Sequence, residues 1–269
     1  MNTPQISLIA SAARPKFWQR LYDSLSQNSV SWELVFVGPN KPDFVLPTNF
    51  IYIHSKVKPA QCYEIAARHA YGEVIGWMAD DFLYNEKISN CPNALDSIWQ
   101  NYQDSIKQYG DKKTIFSQIT IEDYKDTGHA DWIHHRFFYA RMQTPQMAPA
   151  GFMNRDFFNE LGGYDRNFVA GQSENDIVMR AIAAGGRVQT AKDSRVLLNH
   201  GECHGAYPFR KAYHDDRRFL EDCWVKEGYG TYESNRPFTL SPVRLRPFEP
   251  FDGNDILIKN QGPEGNWKI

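Results

Sequence analysis

Two adjacent carboxylates, Asp80 and Asp81, directly follow an apolar run over residues 74–78, VIGWM. In an open parallel sheet, ligands bind in the crevice outside the carboxyl ends of the strands. Neighbouring carboxylates there repel each other and resist desolvation, and a divalent cation relieves both costs. Oxygen ligands suit Mg²⁺ or Mn²⁺, and such an ion also grips a diphosphate. The competing reading is an exposed loop pair, or Asp81 capping a turn. A second acidic group, Glu174 and Asp176, opens a helical pattern over 173–184. A carboxylate placed there can take the proton of an attacking hydroxyl, worth about 10²–10⁴-fold as general-base help. Against that, Ser173-x-x-Asp176 is close to a capping box, and acids in a first helical turn stabilise the helix dipole. His200, Cys203 and His204 form a third group, without the second ligand pair of a zinc site.

The elements that must hold these residues alternate. Apolar runs predict strands over 6–10, 32–37, 50–53 and 74–78. A helix starts at Arg14-Pro15, with Phe17, Leu21 and Leu25 as its apolar stripe. A second starts at Pro59 and is expected to end with Gly72 in the C-cap position. This alternation predicts βαβ units and a parallel sheet. Further on, the pattern predicts a helix over 98–109 and strands over 114–121 and 132–139. A polar, turn-rich stretch over 122–130 reads as a mobile loop. A short helix over 155–161 closes at Gly162-Gly163, and the helix over 173–184 takes Ser173 as its N-cap and ends at Gly185-Gly186. A strand over 195–198 runs into Asn199-His200-Gly201. Past about residue 206 a helix over 209–224 gives way to an extended arm with five prolines between 237 and 269.

At 269 residues and 42% hydrophobic, the chain can bury one large core. Thirty basic against 32 acidic residues give no support for nucleic-acid binding through phosphate neutralisation. No run approaches the ~20 apolar residues of a membrane span, and residues 1–10 lack the features of a signal peptide. A cytosolic location is expected, or action on a membrane surface from the cytosolic side. Four cysteines without a CxxC pair predict free thiols.

Residues 60–82, AQCYEIAARHAYGEVIGWMADDF, resemble the segment of family-2 glycosyltransferases in which a helix ends in A-x-G-E and the next strand runs into an acidic metal motif. The family's D-x-D or D-D-D stands here as Ala79-Asp80-Asp81. The resemblance implies Asp81 as a metal ligand and Asp80 as a contact to the nucleotide ribose or the metal. Residues 161–180, LGGYDRNFVAGQSENDIVMR, resemble the acceptor-side motif of the same family: G-G-F-D, a short loop, E-D-x-D and an arginine four residues on. Aligning Asp176 and Arg180 on its last two positions puts Glu174 on the family's catalytic base, which leaves the base between Glu174 and Asp176. By the same resemblance His200 is a third metal ligand or a diphosphate contact. Residues 7–15, SLIASAARP, resemble the family's first strand and N-R-P turn, with Ala13 for asparagine. Ala10, Ser11 and Arg14 would then touch the nucleotide-sugar, and Gly151 and Gly163 are assigned to it as well. Val37-Gly38-Pro39 replaces the aspartate that reads the base, and Tyr63-Glu64 replaces the A-R-N stretch.

The resemblance covers about residues 5–204. It implies an α/β, GT-A (Rossmann-like) fold with a mostly parallel central sheet flanked by helices. The division is a GT-A domain over 1–205, with a nucleotide-sugar half over about 1–84 and an acceptor half over about 112–205, and a C-terminal helix and arm over 206–269. The implied activity is metal-dependent, inverting transfer from a nucleotide-sugar, UDP-sugar favoured, to a hydroxyl of a glycan or glycolipid, with Mn²⁺ or Mg²⁺. The arm would complete the acceptor site or mediate self-association. The alternative is a non-catalytic sugar- or nucleotide-binding protein of the same fold, which Ala79 and the altered base motif favour. A nucleotidyltransferase would need a glycine-rich phosphate loop, and Ser11-Ala12-Ala13-Arg14 has no glycine.

Overall fold

Runs of β-branched and aromatic residues set the sheet, and short amphipathic helices cover it. The computed structural model describes residues 3–84, 87, 89–123, 132–134, 137–138, 146–148, 150–199, 210–227 and 239–253. The strands are β1 (Ile6–Ser11), β2 (Trp32–Gly38), β3 (Phe50–His54), β4 (Val74–Trp77), β5 (Phe82–Leu83), β6 (Thr114–Asp123), β7 (Trp132–His134), β8 (Phe137–Phe138), β9 (Gln146–Met147), β10 (Gly151–Asn154), β11 (Arg187–Asn199), β12 (Val225–Glu227) and β13 (Thr239–Leu240). The helices are α1 (Trp18–Ser24), α2 (Pro59–Arg68), α3 (Ala94–Tyr109), α4 (Arg155–Glu160), α5 (Ser173–Ala183) and α6 (Arg210–Trp224).

The main sheet runs β3-β2-β1-β4-β10-β6-β11-β5, with β7 added on β6. Its first four strands are parallel. β10 enters antiparallel between β4 and β6, and β11 is again parallel to β6. Hence β4, β6 and β11 point the same way and end at one edge of the sheet. The order of strands reverses at β1, between β2 and β4, so the crevice above β1 and β4 is a topological switch point.

Alternation of side chains gives the sheet two buried faces. Ile9, Val35, Val37, Ile75 and Trp77 pack with α2, with Phe157 and Phe158 of α4, and with Leu220, Cys223 and Trp224 of α6. Leu8, Leu34, Phe36 and Val74 pack with Trp18 and Leu21 of α1 and with Leu95, Ile98 and Tyr102 of α3. The C-terminal helix is therefore part of the core on one face.

Several local expectations are corrected. α2 stops at Arg68 with His69 at its C-cap, so Gly72 does not cap it. Gly72 instead donates its N–H to Ser7 Oγ at 2.7 Å, and a Cβ there would lie 2.5 Å from the Ser7 nitrogen. Ser173 is the first residue of α5; the N-cap is Gln172, in the left-handed region at φ 67°. In place of one strand over 132–139, the described residues form two on different partners, Trp132–His134 (β7) on β6 and Phe137–Phe138 (β8) on β9. The strand expected over 195–198 is the end of β11, whose register shifts between Ala191 and Arg195. Glu122 and Asp123, expected in a loop, end β6. Cys62, Cys91 and Cys223 are free thiols. Among the described residues no helix is long and apolar enough to cross a membrane. His200, Cys203, His204, the remainder of the loop to residue 130, and arm residues 228–238 and 254–269 lie outside the described residues.

Candidate functional site

A cavity of about 370 Å³ opens at the carboxyl edge of β4, β6 and β11. Trp77, Ala79 and Phe82 come to it from the end of β4 and the turn beyond, Thr120 and Glu122 from β6, and Tyr164 and Glu174 from the acceptor-side motif. α2 adds Tyr63 and α6 adds Tyr213. Gly151, expected on the nucleotide-sugar, faces Trp77 across the β4–β10 ladder. A Cβ at residue 151 would come within 2.0 Å of the Trp77 ring, and the indole N–H donates to the Ala148 carbonyl at 2.9 Å. Glycine there leaves room for the ring that forms part of the cavity wall.

Glu174 stands half-buried in the first turn of α5, on the cavity wall. Burial pushes its carboxyl above the ordinary glutamate range, opposed by backbone N–H groups of Glu174 and Gln172 and by Ser173, with Asp216 pushing the same way as burial. The loop before α5 is shaped from a distance. Asp216 of α6 is buried and accepts N–H bonds from Val169 at 3.0 Å, Ala170 at 2.6 Å and Gly171 at 2.9 Å. Burial pushes the Asp216 carboxyl up to about 6, against the pull of those N–H groups and of Lys58.

Asp176, two residues from Glu174, is in a different environment. It is fully buried and accepts from Arg180 Nε at 2.8 Å, Trp224 Nε1 at 3.0 Å and Arg244 Nε at 3.0 Å. Arg244 also bridges to Asp165 at 2.5 Å. Arg180 donates in addition to the carbonyls of Leu161 at 2.6 Å and Gly163 at 2.5 Å. Gly163, also expected on the donor, sits at φ 75° with its missing Cβ 2.5 Å from Glu64 Oε2, and Glu64 accepts the Tyr164 N–H at 2.9 Å.

At the switch point the structure brings together Arg14, Asp80 and Asp81. Ala10 is fully buried in β1, and Ser11 hydrogen-bonds the buried Cys62 thiol. Asp80 Oδ2 accepts the N–H groups of Ala13 at 2.8 Å and Arg14 at 2.7 Å, and the Trp18 indole N–H at 3.1 Å. Its Oδ1 accepts Arg14 Nε at 2.8 Å and Nη2 at 2.5 Å. Asp81 takes Arg14 Nη1 at 2.7 Å and Nη2 at 2.8 Å, one on each oxygen. The aspartates are 1% and 3% exposed, whereas the arginine side chain keeps 37% of its surface. Every carboxylate oxygen that the expected divalent cation would need already accepts a hydrogen bond. Among the described residues no group of three His, Cys, Asp or Glu could hold a metal. As arranged, the arginine bridges the pair, and His200, the other expected metal ligand, lies outside the described residues.

Sequence reasoning missed Thr120, Glu122, Tyr213 and Asp216. Glu122 carried a usable signal, an acid at the end of an apolar alternating run, as at Asp80. Asp216 carried none, since it lies in a helix rich in charge.

No protein-family model matches the chain, and no curated protein matches it by sequence. Solved structures match the fold. Residues 1–349 of S. aureus TarS superpose with a TM-score of 0.54 at 11% identity, covering 80% of this chain and 64% of that one. TarS in complex with UDP-GlcNAc gives 0.50 at 12% identity over 78% and 64%. The mannosyltransferase PcManGT from Pyrobaculum calidifontis, in complex with GDP-Man and Mn²⁺, gives 0.53 at 14% identity over 86% and 67%. The chain thus spans about 64% of the length of the TarS fragment. The fold is a GT-A-like glycosyltransferase fold.

Proposed function

We propose that the protein transfers a sugar from a nucleotide-sugar to a hydroxyl acceptor, with Glu174 as general base and inversion at the anomeric carbon. The observation that carries this reading is the position of Glu174: a carboxylate of raised pKa on the wall of a cavity at the carboxyl edge of the sheet. The acceptor oxygen attacks the anomeric carbon, its proton passes to Glu174, and the bond to the diphosphate oxygen breaks. A carboxyl of raised pKa is a stronger base once ionised, which suits this transfer near neutral pH. The donor is assigned to the crevice at Ser11 and Arg14, and the acceptor, a glycan or glycolipid hydroxyl, to the cavity. A divalent ion would supply charge to a leaving diphosphate; in this arrangement Arg14 bridges the aspartate pair. The neighbouring folds are solved with UDP-GlcNAc and with GDP-Man, so both nucleotide classes belong in the test.

The Arg14 bridge favours a second reading, a non-catalytic protein that binds sugar or nucleotide on the same fold. Turnover separates the two. Release of nucleotide from a panel of UDP- and GDP-sugars, with and without Mn²⁺, is expected for the wild type. It should fall about 10²-fold or more in Glu174→Gln while donor binding stays within a few-fold. No release from any donor would overturn the transfer reading.

A further inference from the structure

Two hydroxyls in the cavity have no use in the chemistry above. Thr120 is 2% exposed and Tyr164 is 1% exposed, and both line the cavity. Thr120 Oγ1 and Tyr164 Oη are buried without a hydrogen-bond partner among the described residues. A buried hydroxyl left unpaired costs about 1–3 kcal/mol, and most buried polar groups are paired. Two such groups on one cavity wall indicate a ligand that supplies the missing bonds. Burial holds the Tyr164 hydroxyl well above its ordinary pKa, so it stays an O–H and can donate.

The remaining walls narrow the chemistry of that ligand. Among the described lining residues none is Lys, Arg or His, while Glu122 and Glu174 supply carboxylates. Among the described lining residues an anionic group would meet the Glu174 carboxylate and no Lys, Arg or His, in a low-dielectric space where repulsion is strong. Trp77, Phe82 and Tyr213 add aromatic surface. A ligand with hydroxyls that both donate and accept, an apolar face and no charge satisfies all of these walls together. The volume stands near the lower end of the ~300–1,000 Å³ common for ligand pockets.

We propose that the cavity binds an uncharged sugar ring through the Thr120 and Tyr164 hydroxyls, so that the acceptor ends in a neutral saccharide and not in a phosphorylated or acidic one. The inference rests on the transfer reading for its assignment of the cavity to the acceptor; the binding itself stands on the cavity walls.

Saccharide binding to the full chain tests it, by saturation-transfer NMR and calorimetry. The probes are methyl glucoside, methyl mannoside, maltose and N,N′-diacetylchitobiose as uncharged ligands, with glucuronate and glucose 6-phosphate as anionic ones. Binding of at least one uncharged probe is expected, with neither anion bound. Thr120→Val and Tyr164→Phe remove only the hydroxyls and should each weaken binding about tenfold or more. Their melting temperatures should stay level or rise, because an unpaired polar atom is replaced by an apolar one. Binding of either anion as tightly as the neutral probes would overturn the proposal. So would variants that bind like the wild type, or an absence of binding by every uncharged probe. Nucleotide-sugar hydrolysis, measured in parallel, separates the two readings. Hydrolysis without saccharide binding sinks this inference alone, whereas saccharide binding without hydrolysis supports it and counts against the transfer reading.

Discussion

Glu174 and Asp176 share one helix turn and meet opposite surroundings. Asp176 is closed in by two arginines and an indole, so its charge is compensated from every direction and holds α5 to α6 and the arm. Glu174 faces the cavity, where burial raises its pKa and the nearby Asp216 carboxylate pushes the same way. The contrast teaches that an acid's role follows from what neutralises it. The same lesson applies at the switch point, where Asp80 and Asp81 are compensated by one arginine much as Asp165 and Asp176 are by Arg244.

The largest test of this contrast pairs two conservative variants. Glu174→Gln should lose the 10²-fold or more of turnover stated above and melt near the wild type. Asp176→Asn leaves buried guanidinium groups short of an anion and should lose about 3–5 kcal/mol in urea unfolding. If Asp176→Asn folds normally and is inactive, while Glu174→Gln turns over, the roles are reversed and the base is Asp176.

Next in size is a pH effect. The folded pKa of Asp216, about 6, lies above the ordinary value of about 3.9 for an unfolded chain. Between those values the folded protein keeps a proton that the unfolded chain has lost. The stabilisation is therefore full below about pH 4 and is lost as pH rises through about 6. Relative to Asp216→Asn, the wild type should lose about 3 kcal/mol across that window, read from unfolding curves at each pH. Parallel curves for the two proteins would show that Asp216 does not titrate there.

Arg14→Gln should have a smaller effect, because the arginine is partly exposed and its ion pairs are screened: about 1–2 kcal/mol. The variant keeps two buried carboxylates without their counter-ion. Mn²⁺ alone should therefore raise its melting temperature and leave that of the wild type unchanged. Equal responses would break the parallel between the two compensated acid pairs. The smallest expected effect is on the activity profile, where the acid limb of kcat/KM should have its midpoint above about 4.3, the ordinary glutamate value. A midpoint at or below it would leave Glu174 no more basic than a surface glutamate.

Local signals carried much of the fold. The runs at 6–10, 32–37 and 74–78 are apolar because both faces of those strands are covered, and they predicted β1, β2 and β4 to within a residue. β10 was not legible, since GFMN is short and opens on a glycine whose reason is the Trp77 ring across the ladder. Gly72 and Ser173 looked like caps because cap residues are recognised by type, while their actual constraints come from β1 and from the Gln172 turn. At the site, motif resemblance singled out Glu174, Asp80 and Asp81. Arg14 was expected as a donor contact, and nothing in the sequence marked it as the partner of both aspartates, 66 and 67 residues away. Tyr213 reaches the cavity, and Asp216 the loop before α5, from a helix whose composition reads as a solvated surface, and nothing local distinguishes them.

Arg244 also fixes an order in time. It is the counter-ion for carboxylates made 68 and 79 residues earlier. At about 5–20 residues per second of synthesis, Asp176 waits several seconds for that partner. Until then Asp165 lacks its guanidinium partner, and Asp176 has only Arg180 of its own helix and, once α6 is made, Trp224. The β1–β4 half can assemble from contacts close in sequence, but the cavity depends on closures of long range, which are slow to form. The turn of α5 that carries Glu174 is thus fully tied down only when the arm joins it, after the sheet that supports it has formed.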